Sequence, residues 1–480
     1  MPTRREFCQT VAGAAIASIM PKMPEISIGE PQAPYHADKP LLTLQQEFLD
    51  LRFGMFLHFN MATFQDREWG DPTGPTEAFD PTDLDTDQWA VAAKSAGMTY
   101  GCLTTKHHDG FCIWPTKTKS DSILQTPKKI DVVRAYADSF RKHGLKVGLY
   151  FSILDLRGDI RHFNVTPEKI QRIKDQLTEL LTNYGEIDVL IFDGWDAPWS
   201  RIPYDEVPFA EIYALVKRLQ PNCLISELNA SQYPNSALYY SDIKAFEQNA
   251  GQHLPGDSSI PAQSCVTLTD GWFWKQSDAE AELKPVERIV KEWLIPQNDQ
   301  HCNLILNAPP NREGKLAPNV LATLAAIGKA WKHSGPAAKI DPSVVITTPN
   351  LAAGQPIHGN NAPETVGPDQ ANDGNFGSSW CPEGQDGWLE ISFRRPVEFN
   401  TLVLVEPVGR GEYKESRIKS YRFQKWEGNA WVDVALGGTP SRVQIHTVPR
   451  TKTSKLRLSF EGKQDNPHIA DIGVYNEPRG

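Results

Sequence analysis

VLIFDGW, residues 189–195, is an apolar run that breaks off abruptly at Asp193, Gly194 and Trp195. Runs upstream break off the same way: RFGMFLHF (52–59) carries His58 near its end, and CLTTK (102–106) leads straight into His107, His108 and Asp109. In a (β/α)8 barrel the polar groups at the carboxyl ends of several strands converge on one pocket. A pocket assembled from imidazoles, carboxylates and tryptophans suits an uncharged, hydroxylated ligand, so the pattern points to sugar chemistry.

Outward from that stretch the chain alternates strand-like and helix-like segments. Strands are expected at 51–59, 98–105, 146–153, 187–193, 223–229, 242–247, 264–268 and 302–307, and helices at 86–96, 130–143, 167–183, 207–219, 286–294 and 318–332. Eight strands with intervening helices fit a closed TIM-like barrel better than an open sheet. No G-x-G-x-x-G follows the first strand and no Walker lysine motif occurs, which removes the usual support for nucleotide chemistry. After Pro336 the runs WLEISF, NTLVLVEPV, SYRFQKW, WVDVAL, VQIHTV and KLRLSF are separated by Gly, Pro, Asn and Asp, as in an antiparallel β-sandwich. The 480 residues therefore divide into a leader at 1–35, an α/β barrel at 36–337 and a β-sandwich at 338–480.

A formal net charge of −10 leaves no basic stripe for phosphates, which argues against a nucleic-acid partner. The 7 cysteines form no C-x-x-C pair and no zinc spacing, and read mostly as buried thiols. TRREF (3–7) precedes a short apolar run, VAGAAIASIM (11–20), and reads as an export signal. The adjacent Arg4 and Arg5 favour the twin-arginine route to a periplasmic or secreted location. No other apolar stretch is long enough to insert into a membrane. The sequence assigns no oligomeric state.

Asp193 sits where a strand becomes a loop, ahead of a glycine that lets backbone approach a ligand. A carboxylate there can cap a helix, bind a metal or act as a nucleophile. Cleavage of a glycosidic bond needs two carboxyl groups, about 5–5.5 Å apart for retention and roughly 6.5–9.5 Å for inversion. Candidates for the second are Glu227, Glu247 and, behind them, Asp196. The neighbours His107 and His108 would point to opposite sides of an extended backbone, one toward the pocket and one away. With His58 and Asp109 they could alternatively ligate a metal, although neither H-x-H nor H-E-x-x-H spacing is present. Trp69, Trp114, Trp195 and Trp199 follow strands as possible stacking faces, and Trp272 and Trp274 would wall the pocket beside the seventh strand.

RFGMFLHF, REW, TTKHHDGFCIW, HGLKVGLYFS, IDVLIFDGW and CNLILNAPPNREG occur in an order that resembles the retaining α-L-fucosidases of glycoside hydrolase family 29, over roughly residues 45–335. The resemblance implies an exo-acting enzyme that hydrolyses terminal α-L-fucosyl linkages by double displacement and needs no cofactor or catalytic metal. It implies Asp193 as the nucleophile, His58, His107 and His108 as fucose-binding histidines, and Trp69 as a pocket aromatic. Tyr150 or Phe151 falls where the family often presents a tyrosine. For the acid/base it implies two positions. One, just before the GWF motif, is held here by Gln263, which cannot donate a proton as a carboxylic acid can. The other, after the sixth strand, is Glu247, the expected acid/base, with Glu227 next in line. Trp195, Glu227, Gln263 and Trp272 complete the expected substrate contacts.

SSWCPEGQDGWLEISFRRPVEFNTLVLVE and IADIGVYN look like a discoidin-type, galactose-binding-like β-sandwich. Asp373 and Asn375 in NDGN could belong to the structural Ca2+ loop common in such modules, or to an ordinary turn. The expected partner is a fucosylated oligosaccharide or glycoconjugate. Two other readings stand beside the enzyme: a carbohydrate-binding protein on a degenerate barrel, and a metal-dependent hydrolase.

Overall fold

The computed structural model describes residues 39–477 apart from 205, 233–237, 239, 255–257, 259, 341–347, 349, 361–366, 374–377, 408–414, 441–442 and 465. The leader read at 1–35, Cys8 and Asn375 lie outside the described residues. Eight strands form one parallel sheet: β1 (Phe53–Leu57), β2 (Tyr100–Lys106), β3 (Lys146–Ser152), β4 (Val189–Asp193), β5 (Leu224–Glu227), β6 (Lys244–Glu247), β7 (Ala262–Thr267) and β8 (Cys302–Asn307). Their order is β5-β4-β3-β2-β1-β8-β7-β6, so the sheet runs almost full circle into the expected barrel. Between β5 and β6 the closure is not a ladder. The N–H groups of Asp242 and Ile243 both donate to the Ile225 carbonyl, and the Asp242 carboxylate accepts from Ile225 N–H at 2.8 Å. A side chain thus stands in for a backbone rung, with Lys217 Nζ 2.6 Å from Asp242 Oδ2 to balance its charge.

The strands are apolar because both faces are covered; every residue of β2 and β4 is buried. Helices Thr86–Ser95, Val132–Lys142, Pro167–Asn183, Phe209–Leu219 and Pro318–Ala330 cover the outside. Their starts are written in the sequence: Asp85, Asp131 and Thr166 accept from the backbone of the first turn, and prolines open two of the helices. The helix expected at 286–294 winds instead as a π-helix over Arg288–Leu294. The alternation is also less regular than expected. Among the described residues, β5 and β6 are followed only by the 3-10 turns Leu228–Gln232 and Gln248–Ala250, so this side of the barrel has no covering helix.

The second sheet is antiparallel and comprises β9 (Ile357–Gly359), β10 (Gly387–Val405), β11 (Ile418–Glu427), β12 (Ala430–Gly437), β13 (Val443–Gly462) and β14 (Asp471–Tyr475). Its order is β12-β11-β13-β10-β14, with β9 paired to β10. WLEISF and NTLVLV, which read as separate strands, are one 19-residue strand, and VQIHTV and KLRLSF are one of 20 residues. Register shifts between Ser392 and Val397 and between Phe399 and Thr401 bend the paired strands where the reading expected turns. Beyond the bend β10 is buried on both faces. Leu402 and Leu404 join the sheet's own core with Trp380 and Phe423, whereas Val403 and Val405 pack into the core of the barrel.

The six described cysteines are buried free thiols. Among the described residues no helix is long and apolar enough to cross a membrane. Of Asp373 and Asn375, only Asp373 is described, and its Oδ2 accepts from Ser378 Oγ at 2.7 Å. No three carboxylate, imidazole or thiol groups among the described residues come together as metal ligands.

Candidate active site

Asp193 is the last residue of β4, in register with Ser152 at the end of β3. Gly194 follows with φ +102°, and a Cβ there would lie 2.9 Å from Leu154 N, so only glycine lets the chain leave the strand this tightly. Ile153 N–H donates to the Asp193 carbonyl at 2.8 Å and fixes the turn. The Asp193 side chain is nearly sealed. Its Oδ2 accepts from the Tyr150 hydroxyl at 2.7 Å and its Oδ1 from Asn229 Nδ2 at 3.2 Å. Burial pushes its pKa up to about 6 against the hydrogen bonds from Tyr150, Asn229 and the Gly194 backbone.

Asp193 lines a cavity of about 250 Å³ together with His58, His107, His108, Tyr150 and Glu247. His107 and His108 both face it, their ring centroids 4.0 Å apart, because they lie beyond the end of β2 in a turn and not on extended backbone. Hydrogen bonds define two of the imidazoles. The Ser152 hydroxyl donates to the Leu154 carbonyl and so must accept from His108 Nδ1, 2.8 Å away, leaving His108 Nε2 an acceptor. Asn307 Nδ2 donates to the Trp272 carbonyl, which turns Asn307 Oδ1 toward His58 Nδ1 at 2.7 Å and makes His58 Nε2 an acceptor as well. Burial pushes His58 and His108 down to about 3 and His107 well below the usual range, so all three are neutral near pH 7. His108 Nε2 lies 3.5 Å from Asp193 Oδ2, beside the bond that Tyr150 donates to the same oxygen, so the charge in this part of the cavity is that of Asp193.

Glu247, the last residue of β6, lines the same cavity. Burial and then the charge of Asp193 push its pKa up to about 7, with the Trp272 side chain drawing it back. The two carboxyl groups are thus staggered, one ionising ahead of the other. Trp69, Trp199 and Trp272 make the aromatic wall: Trp69 stands edge-on to Trp199 at 5.0 Å, and Trp272 lies 4.8 Å from the His58 ring.

Three residues expected to touch substrate stand outside this lining. Trp195 is fully buried, because the Gly194 turn carries it into the core, where its indole N–H donates to the Val207 carbonyl at 2.9 Å and its ring stacks on Tyr204. Gln263 lies within β7, below the strand ends, and donates to Ser226 Oγ at 2.9 Å. Glu227 ends β5 behind Asn229, which donates to it at 3.3 Å while the Tyr204 hydroxyl donates to its other oxygen at 2.5 Å. Burial pushes the Glu227 pKa up to about 8. Trp114 is likewise a core residue, bonded to Glu179. Asp109 turns away from the histidines; its Oδ2 accepts from Phe111 N–H and lies 3.5 Å from Arg157 Nε.

Glu68 is a lining residue outside the expected contacts. It accepts from Trp272 N–H at 2.9 Å and pairs with Lys275 Nζ at 2.5 Å, tying the loop after β1 to the loop after β7. Its signal was the charged residue beside Trp69 in REW. Asn229 and Asn307, which orient Asp193 and His58, also stand outside the expected contacts; Asn307 ends an apolar run as Asp193 does, whereas Asn229 lies two residues beyond the end of β5.

A (β/α)8-type barrel whose strand ends deliver two perturbed carboxyl groups, acceptor imidazoles and a tryptophan wall to one small cavity defines a glycoside hydrolase. Comparison with known proteins agrees: the model for the family described as Alpha-L-fucosidase matches residues 29–335, and that for the F5/8 type C domain matches 353–473. The chain belongs to the alpha-L-fucosidase family. It is 27% identical over 458 residues to putative alpha-L-fucosidase 1 of Oryza sativa subsp. japonica, covering 88% of this chain and 82% of that one. To alpha-L-fucosidase 1 of Arabidopsis thaliana it is 28% identical, covering 88% and 84%. Among solved structures, a glycoside hydrolase 29 family member from an unknown rumen bacterium shares the fold with a TM-score of 0.53 at 24% identity, over 91% of this chain and 77% of that one.

Proposed function

We propose that this protein is a retaining exo-α-L-fucosidase that removes terminal α-L-fucose from glycans by double displacement. The observation that carries the reading is Asp193 at the end of β4, oriented by Tyr150 and Asn229 in a cavity it shares with Glu247. The cavity lies below the usual size of a drug-sized ligand site, which suits one terminal sugar and not a chain. His58 and His108 accept from its hydroxyls, and Trp69, Trp199 and Trp272 lie against its apolar face.

In the first step Asp193 attacks the anomeric carbon as the glycosidic C–O bond breaks, and Glu247 gives its proton to the departing oxygen. In the second, Glu247 takes a proton from water, whose oxygen displaces Asp193 and releases fucose with its original configuration. Both carboxyl groups end as they began. The barrel at 36–337 does this chemistry and the domain at 338–480 flanks it. The Arg4-Arg5 leader supports an exported enzyme. NMR of the first product from an aryl α-L-fucoside tests the reading: α-fucose supports it, and β-fucose or no fucose overturns it.

A further inference from the structure

Beside the short turn that follows β6, which has no covering helix among the described residues, the outer wall of the barrel carries a second cleft of about 510 Å³. Glu247 borders the first cavity, and the next two residues, Gln248 and Asn249, border this one, so a single short turn separates them. The far wall includes Arg288 and Trp293 of the π-helix, a form that recurs at functional sites.

The lining is chemically selective. Lys284 is half-buried, and its ammonium donates only to neutral groups, Thr267 Oγ1 and the Thr269 carbonyl, each at 2.7 Å. Among the described residues no carboxylate comes within ion-pair distance of it; Asp270 acts on it only from farther away, and burial lowers its pKa. A partly desolvated cation with a donor to spare is a place for an anion. Around it are groups that suit hydroxyls. Gln248 and Asn249 spend their N–H groups on Ser264 and Thr267, which leaves their carbonyl oxygens as acceptors. Trp293 offers a ring, with the Arg288 guanidinium 5.0 Å from its centroid and Glu292 3.6 Å from Arg288 Nε.

We propose that this cleft is a second saccharide site that takes a carboxylate-bearing sugar, its acid group on Lys284 and its ring beside Trp293. That this sugar belongs to the same glycan whose fucose enters the Asp193 cavity rests on the function proposed above.

Saturation-transfer NMR on the full chain tests it with glucuronate, galacturonate and N-acetylneuraminate, using glucose and acetate as controls. At least one acidic sugar should bind more tightly than either control, and excess fucose should not displace it. Lys284→Gln should weaken that binding about tenfold or more, the scale of a lost charged hydrogen bond. Arg288→Gln, at an exposed position, should weaken it severalfold without threatening the fold. Both variants should hydrolyse nitrophenyl fucoside at the native rate. Binding of acetate as tight as that of the acidic sugars, displacement by fucose, no binding of any acidic sugar, or native affinity in both folded variants would overturn the proposal. Binding is read without turnover, so a native enzyme that cleaves no fucoside would count against the proposed function and not against this site.

Discussion

The Tyr150 hydroxyl donates to Asp193 Oδ2 at 2.7 Å from the neighbouring strand, and both groups are buried. Burial and the Asp193 charge push the phenol's own pKa well above its usual value, so it stays a donor throughout the working range. The bond favours the ionised carboxylate and opposes the burial that raises it to about 6. Tyr150→Phe should therefore move the acid limb of the kcat/KM profile upward by about one unit or more, since hydrogen bonds to charged groups contribute roughly 1.5–3 kcal/mol. A rate loss with the limb unmoved would make Tyr150 a contact to substrate alone.

The proposed double displacement needs Asp193 ionised and Glu247 protonated. With pKa values near 6 and 7, the active form grows as pH rises through the first and disappears as pH rises through the second. A narrow bell is expected, its two limbs belonging to the coupled pair. Glu247→Gln should abolish the alkaline limb. It should lose about 10² to 10⁴ in rate on a natural fucoside, whose leaving group needs a proton, and far less in the first step on a nitrophenyl fucoside. Equal losses on the two substrates would remove Glu247 from the acid role.

Glu227 gives a stability prediction with a definite sign. Its folded pKa of about 8 lies above the ordinary 4.5, so its contribution is fully present below about 4.5 and is lost as pH rises through about 8. Glu227→Gln cannot ionise. Relative to the native protein it should gain stability between pH 4.5 and 8 and gain nothing more above that. Urea unfolding at pH 4.5 and pH 8 measures the difference; a constant offset would mean that Glu227 is ionised in the folded protein.

Gly194→Ala would force a side chain into φ +102° and against Leu154 N. Strain of this kind costs about 1–3 kcal/mol, and relief would shift Asp193 with it. Thermal unfolding should show a lower Tm, and kcat should fall even at temperatures where the variant is folded. Native kcat would show that Asp193 keeps its place without this turn.

The barrel was legible because strands such as β1, β4 and β8 are apolar runs stopped by a polar residue, and both features follow from burial and a strand's carboxyl end, whereas KAFE and AQSCVT carry polar residues within the strand. The same rule picked out His58, His107, His108, Asp193 and Glu247. It misplaced Trp195 because adjacency to Asp193 in sequence says nothing about where a positive-φ glycine sends the chain. It missed Glu68, whose place depends on Lys275 and the Trp272 backbone some 200 residues away. Gln263 lies one turn of the pleat too deep, which no spacing reveals without the barrel's register. Runs such as WLEISF and NTLVLV gave the second sheet, but a strand that bends through a bulge leaves no turn residue to distinguish it from two strands.

As the proposed nucleophile, Asp193 forms a covalent bond to the sugar. Incubation with 2-deoxy-2-fluoro-α-L-fucosyl fluoride, whose fluorine slows the second step, followed by peptide mass mapping, tests it directly. Inactivation is expected with one fluorofucosyl group on the peptide that carries Asp193 and none in Asp193→Ala. A label on Glu247, Glu227 or Glu68, or turnover of the reagent with inversion and no label, would contradict it.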